Sequence, residues 1–206
     1  MEQTDITGIV PQQYSGKEIS VQSSTEFQND YEAKQFFNVA RERLLNVNNW
    51  HNTAQGFTAK FQVTDADGKE VSRMVEKGDY LKVDIPGPGS KAGQGYDWVS
   101  VEEVKEVSEG NSQSIGFRVR PSENPQGDQK DIAHFYDESA TSNFIVTREG
   151  NKVTALVIDK NLKPNLETDS LTDKIRDATV GTTALMGLSR IQWQNLVDGI
   201  AKIVSV

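Results

Sequence analysis

The stretch IAHFYDESATSNF, residues 132–144, holds the densest set of groups able to move a proton: His134, Tyr136, Asp137, Ser139, Thr141 and Ser142. An imidazole titrates near neutral pH and a carboxylate can orient it, so His134 with Asp137 is the minimum for acid–base chemistry of the cyclase or hydrolase kind. Spacing sets a condition. In an extended strand His134 and Tyr136 project to one side and Phe135 and Asp137 to the other, so a direct pair needs a turn between them. Without that turn the histidine is a structural residue of a hydrogen-bonded sheet.

Other groups could hold a ligand without reacting. Arg118 and Arg120 in FRVRPSENP share a strand face, and two guanidinium groups side by side can grip a carboxylate or phosphate; pairing with Glu102 or Glu103 on the next strand is the alternative. Trp98, Trp193 and Trp50 are core residues first and stacking surfaces second. The loop IPGPGSKAGQGYDW, residues 85–98, has the glycines of a phosphate cradle, but no Lys-Ser/Thr opens a helix after them, so it reads as a rigid bend or, with Lys91, a lid. DADG at 65–68 resembles the start of a calcium loop, yet Lys69 takes the third acidic position and a hairpin turn explains it. His51 and His134 with no cysteine make no zinc set, so neither a metal nor a cofactor is expected.

The bulk properties narrow the classes. A chain of 206 residues with 35% hydrophobic and 25% charged residues can bury a sizeable core as one domain. A net charge of −8 with scattered Lys and Arg argues against nucleic acid and anionic lipid as partners, and no apolar run reaches membrane-spanning length. Zero cysteines exclude disulfides and thiolate nucleophiles. The start MEQTDITGIV lacks the basic and apolar regions of a secretory leader, so the cytoplasm is the expected compartment.

These side chains must be positioned by elements the pattern suggests. Residues 1–17 read as a flexible arm before a single α+β domain over 18–206. KEISVQSSTEF alternates as a half-buried strand. Asn29 or Asp30 caps a helix whose Ala33, Phe36, Phe37, Ala40, Leu44 and Leu45 recur on one face, and the asparagines of NVNNWHNTA end it, leaving Trp50 to plug the core. Alternation punctuated by turns follows to residue 159. Hairpins are predicted from FTAKFQV with KEVSRMV, from YDWVSVEEVKEV with SIGFRVR, and from SNFIVTR with KVTALVID, with DYLKVDI as a further strand. An antiparallel sheet of six or seven strands results. The last segment is helical, with capping-box spacings at Ser170 and Ser189 and either a kink or a break near Gly187.

The opening EISVQSSTEFQNDYEAKQFFNVARERLLNVNNWHN and the terminal helix from Leu171 to Val204, with the strands between them, resemble the helix-grip fold of the START, Bet v 1 and polyketide-cyclase superfamily. The phrases IPGPG, YDWV and AHFYDESATS are similar to an uncharacterised bacterial family, which implies no activity. The helix-grip resemblance implies a curved sheet wrapped around the last helix, with Thr182, Thr183 and Met186 beneath the strands. A small, partly apolar ligand held there, anchored by Arg118, Arg120, His134 and Tyr136, is the leading expectation. A protein-interaction or homo-oligomerisation module is the second, and the His134–Asp137 enzyme the third.

Overall fold

The computed structural model describes residues 5–56, 58–85, 90, 92–128, 130–165 and 178–203, the side chains of 178–185 excepted. Lys91 and most of the Gly/Pro loop lie outside these residues. The chain runs β1 (Lys17–Glu26), α1 (Asp30–Leu45), a 3-10 turn (Val47–Asn49), α2 (Trp50–Thr53), β2 (Lys60–Thr64), β3 (Tyr80–Asp84), β4 (Asp97–Glu109), β5 (Ser112–Pro121), β6 (Thr141–Glu149), β7 (Lys152–Leu162) and α3 (Ala178–Ala201). All seven strands form one antiparallel sheet in the order β1-β7-β6-β5-β4-β3-β2.

Local signals explain most of these elements. Asn29 caps α1 by accepting the amide N–H of Glu32 at 3.0 Å, satisfying one of the free donors of the first turn. The helix buries the six residues whose spacing marked its apolar face. The β6–β7 hairpin turns in two residues at Gly150, whose φ of 57° is open to glycine and disfavoured for other L residues. Its tip is tied to the β4–β5 hairpin, because the Gly150 amide donates to the Asn111 carbonyl at 3.1 Å.

Alternation sorts the strands between two apolar layers. Ile115, Phe117, Val119, Phe144, Val146, Val153, Ala155 and Val157 face a main core shared with α1, Trp50 and the Leu196, Val197 and Ile200 face of α3. Ile145, Leu156 and Ile158 point the other way. The sheet thus carries both long helices on one face.

Residues 5–16 cover the other face, which corrects the expectation of a flexible arm. Ile9 is buried against Ile145, Leu156 and Ile158, since apolar outward positions need a cover. The Asp5 carboxylate accepts the amides of Thr7, Gly8 and Val10, and the Asn161 side chain takes the amides of Tyr14 and Ser15.

Two further expectations need correction. KEVSRMV does not form the second arm of a hairpin: Glu70 bridges Thr64, and Arg73 then leaves to pair with the buried carboxylate of Asp79 at 2.7 Å. The turn before it is held by Asp65, whose carboxylate accepts the amides of Asp67 and Lys69. The other is the break at Gly187: α3 is one helix that runs through that residue. Ser170 of the first proposed cap lies outside the described residues. No described helix is long and apolar enough to cross a membrane.

The glycine that α3 does need is Gly199. A Cβ there would stand 2.2 Å from the Thr53 carbonyl oxygen and 2.9 Å from the Ala54 Cα, whereas nothing lies within 4 Å of a Cβ at Gly187. Gly199→Ala should therefore push α3 off α2 and cost about 2 kcal/mol. Gly187→Ala should gain about 1 kcal/mol from helix propensity. Chemical denaturation of both variants checks this, and equal effects would show that the approach at Gly199 is not tight.

Candidate functional site

The main core is built on aromatic rings. Trp50 is fully buried and lies 5.2 Å from Phe61, 6.1 Å from Phe117 and 5.0 Å from Phe144, centroid to centroid. Trp193 of α3 meets Phe144 edge-on at 5.2 Å. Toward the start of β6 and the end of β7 this wall becomes polar. Asp159 follows Val153, Ala155 and Val157 in the inward register of β7, directly across from Ser142 of β6.

Asp159 is 1% exposed, and its Oδ2 accepts the indole N–H of Trp193 at 2.8 Å. Its Oδ1 makes no hydrogen bond of proper distance and angle among the described residues, although the Ser142 hydroxyl lies beside the carboxylate. Burial pushes its carboxyl up to about 7, although the Ser142 hydroxyl and the Trp193 N–H both favour the charged form. Tyr136, 5% exposed, places a phenol hydroxyl within electrostatic reach of this carboxylate. That hydroxyl lies beside Ser189 of α3 but makes no hydrogen bond of proper distance and angle. Burial first, then the Asp159 charge, raises the phenol's pKa.

The segment carrying Tyr136 is a loop, not the strand whose alternation would have put His134 and Tyr136 together. The rings of His134, Phe135 and Tyr136 follow one another at 4.4 and 4.3 Å. Asn165 clips the segment by donating to the carbonyls of Ile132 and His134, and a bridge joins Tyr136 to Pro164. On the other side the Asp97 carboxylate accepts the amides of Phe135 and Ser90, and burial raises its pKa to about 7. Backbone bonds thus aim Tyr136 inward.

His134 accepts the Tyr136 amide N–H at Nδ1, 3.0 Å away, which requires a lone pair there. Burial pushes its pKa down to about 3, so the ring is neutral with its proton on Nε2. Asp137 turns to Ser139, accepting both its amide and its hydroxyl. No bond between His134 and Asp137 occurs among the described residues, so the two do not form the pair that their proton-transfer chemistry would need.

Arg118 and Arg120 alternate with Phe117 and Val119 of the core, so they lie on the opposite face. A bulge between Val101 and Glu103 presents Glu102 to both, at 2.7 Å from Arg118 and 2.5 Å from Arg120. Burial alone would raise the Glu102 carboxyl, but the two guanidinium groups outweigh it and hold it below the usual carboxylate range. Arg118 also donates to the Ile9 carbonyl and Arg120 to that of Glu138. These arginines fasten the arm and the loop and are out of reach of the enclosed interior.

Trp98 is buried but alternates with Val99 and donates to the Gly93 carbonyl at 3.4 Å, away from the aromatic wall. Met186 packs against the main core. The side chains of Thr182 and Thr183 lie outside the described residues. His51 lines a shallow cleft of about 250 Å³ with Lys60, Glu70, Lys82, Asp84 and Tyr96. Lys82 there sits 4.2 Å from the Tyr96 ring centre and 3.1 Å from Glu70, so its charge is already met. No group of three potential metal ligands converges among the described residues.

Sequence reasoning missed Asp159 and Ser189. A signal existed for the first: a carboxylate continuing the inward period of Val153, Ala155 and Val157 occupies a core position. Nothing local marked Ser189, which was read as a helix cap.

This strand order, with α1 and α3 on one face, defines an α+β helix-grip domain. Among solved structures, truncated norcoclaurine synthase from Thalictrum flavum is 10% identical with a TM-score of 0.38, covering 94% of this chain and 100% of that one. A START superfamily protein from Mycobacterium smegmatis is 10% identical with a TM-score of 0.32, covering 85% and 96%. Ara h 8.0201 is 12% identical with a TM-score of 0.32, covering 84% and 97%. These superpositions are loose, and the fold assignment stands on the strand order and helix placement. No family model matches the chain. No curated protein matches it.

Proposed function

We propose that the domain binds a small, partly apolar molecule between its curved sheet and α3. The observation that carries this reading is the presence near an aromatic wall of two buried polar side chains, Asp159 and Tyr136, whose Oδ1 and phenol hydroxyl make no hydrogen bond of proper distance and angle among the described residues. Leaving a buried polar group unpaired costs about 1–3 kcal/mol, so native proteins rarely keep two such groups unless something else pairs them. Apolar walls with a few placed polar groups are the usual makeup of small-ligand sites. Of the anchors expected from sequence, Tyr136 takes part directly and His134 supports it from behind.

Native mass spectrometry of the purified protein, compared with the denatured chain, tests this. A retained species of a few hundred daltons is expected. A monomer that stays empty after incubation with a small-molecule extract overturns the reading. A dimer without small molecule would favour self-association through Leu188 and Ile191, exposed on α3 at 59% and 58%.

A further inference from the structure

We propose that the cleft at the β2–β3 end of the sheet is a separate binding site, and that it takes a free α-amino acid by its zwitterionic head. It lies apart from the enclosed interior and is independent of the function proposed for that interior.

Alternation places it on the outer side of the sheet. Phe61 and Val63 of β2 and Leu81 and Val83 of β3 belong to the main core, so Lys60, Gln62, Lys82 and Asp84 face outward. All four line the cleft of about 250 Å³, together with His51 and Tyr96. That volume falls below the roughly 300–1,000 Å³ of sites for drug-sized molecules, so the occupant is small.

Several polar groups of the cleft are already matched. Lys82 is held by Glu70 at 3.1 Å and by the face of the Tyr96 ring at 4.2 Å. Asn48 accepts the Val63 amide and donates to the Val71 carbonyl, and Gln62 donates to the carbonyls of Val63 and Val71. Lys60 and Asp84 differ. They stand directly opposite each other across β2 and β3, where Cβ atoms are about 5 Å apart and opposite charges ordinarily pair. Among the described residues no ion pair or hydrogen bond engages either side chain.

A zwitterion fits that gap. Its carboxylate on the Lys60 ammonium and its ammonium on the Asp84 carboxylate make two charge-assisted hydrogen bonds, and both head groups hang from one carbon. A simple anion would meet Lys60 but stand against Asp84 and Glu70, and a simple cation would meet Asp84 but stand against Lys60 and Lys82. A neutral polar molecule would leave both charges unmatched. The Phe61 and Tyr96 rings on the lining favour an apolar side chain on the amino acid.

Three probes with one side chain separate these cases: L-phenylalanine, N-acetyl-L-phenylalanine, which lacks the ammonium, and L-phenylalaninamide, which lacks the carboxylate. Each is titrated into the isotope-labelled full chain at about pH 6, where a free α-amino group carries its proton, and the backbone amides of Lys60, Asp84 and Tyr96 are followed by NMR. L-Phenylalanine should bind with a Kd in the millimolar range, at least about fivefold more tightly than either analogue. Lys60→Gln and Asp84→Asn should each weaken it by about three- to fivefold, the size of one exposed ion pair, and both positions are exposed enough to leave the fold intact. Lys60→Arg should keep the binding. Equal binding of either analogue, affinity unchanged in both neutral variants, or no shift of these amides at about 20 mM L-phenylalanine overturns the proposal and leaves the interior untouched. Shifts confined to Trp193, Tyr136 and their neighbours also overturn it, since they place the amino acid in the interior.

Discussion

Trp50→Ala should destabilise the domain by about 3–5 kcal/mol, the range for deleting a large buried aromatic side chain. The ring is fully buried and sits among Phe61, Phe117 and Phe144, so truncation opens a cavity between two helices and two central strands. Its indole N–H also reaches the carbonyls of Arg43 at 3.2 Å and Leu44 at 3.1 Å, near the end of α1 where helix carbonyls lack intrahelical donors. Trp50→Phe keeps much of the ring contact and loses that bond, and should cost roughly half as much. Urea denaturation with a fixed m-value measures both. A loss below about 1 kcal/mol for the alanine variant would show that the core collapses around the gap and does not depend on this ring.

Stability should rise as pH falls from neutral. Asp97 and Asp159 titrate near 3.8 when unfolded and at about 7 in the folded chain. A carboxyl whose folded pKa is raised contributes stability that is fully present below its unfolded pKa and is lost as pH rises through the folded one. His134 works in the opposite sense, falling from 6.5 to about 3, so its contribution is present above the unfolded pKa and lost as pH drops. Between about pH 4.5 and 6.5 the folded chain therefore holds two carboxyl protons that the unfolded chain lacks, and lacks one imidazole proton. The net is one proton more in the folded state, and two pH units at ~1.4 kcal/mol each amount to about 3 kcal/mol of stability gained toward acid. Asp159→Asn cancels the net proton and should flatten the profile over this window, while His134→Gln should steepen it. Urea midpoints at three pH values decide the matter, and a wild-type stability that climbs toward neutrality would sink the assignment of buried neutral carboxyls.

Both predictions depend on features of very different legibility. Trp50 was readable, since the asparagine-rich turn after α1 leaves a large apolar ring with nowhere to go but inward. His134 was readable as a candidate and misread in its setting, because a run of aromatic residues looks like a strand while Asn165 and Pro164 hold it as a loop. Arg118 and Arg120 were read as anchors or partners of an acid, and pairing with Glu102 depends on a bulge that alternation cannot announce.

What the amino-acid order determined by itself is what neighbours in the chain decide. The apolar period and Asn29 cap make α1, the two-residue turns at Gly110 and Gly150 make the β4–β5 and β6–β7 hairpins, and the alternation of β5, β6 and β7 assigns their faces. Tertiary structure alone decided the rest. It set β1 beside β7, folded residues 5–16 over the outer apolar layer, and turned the chain away from the sheet after Val71, where Arg73 pairs with Asp79. It also brought Trp193 of α3 onto Asp159 of β7. Each of these is a contact between distant segments, fixed by which apolar surfaces must be covered and which buried charges must be met, and that competition is settled only when the whole chain is packed.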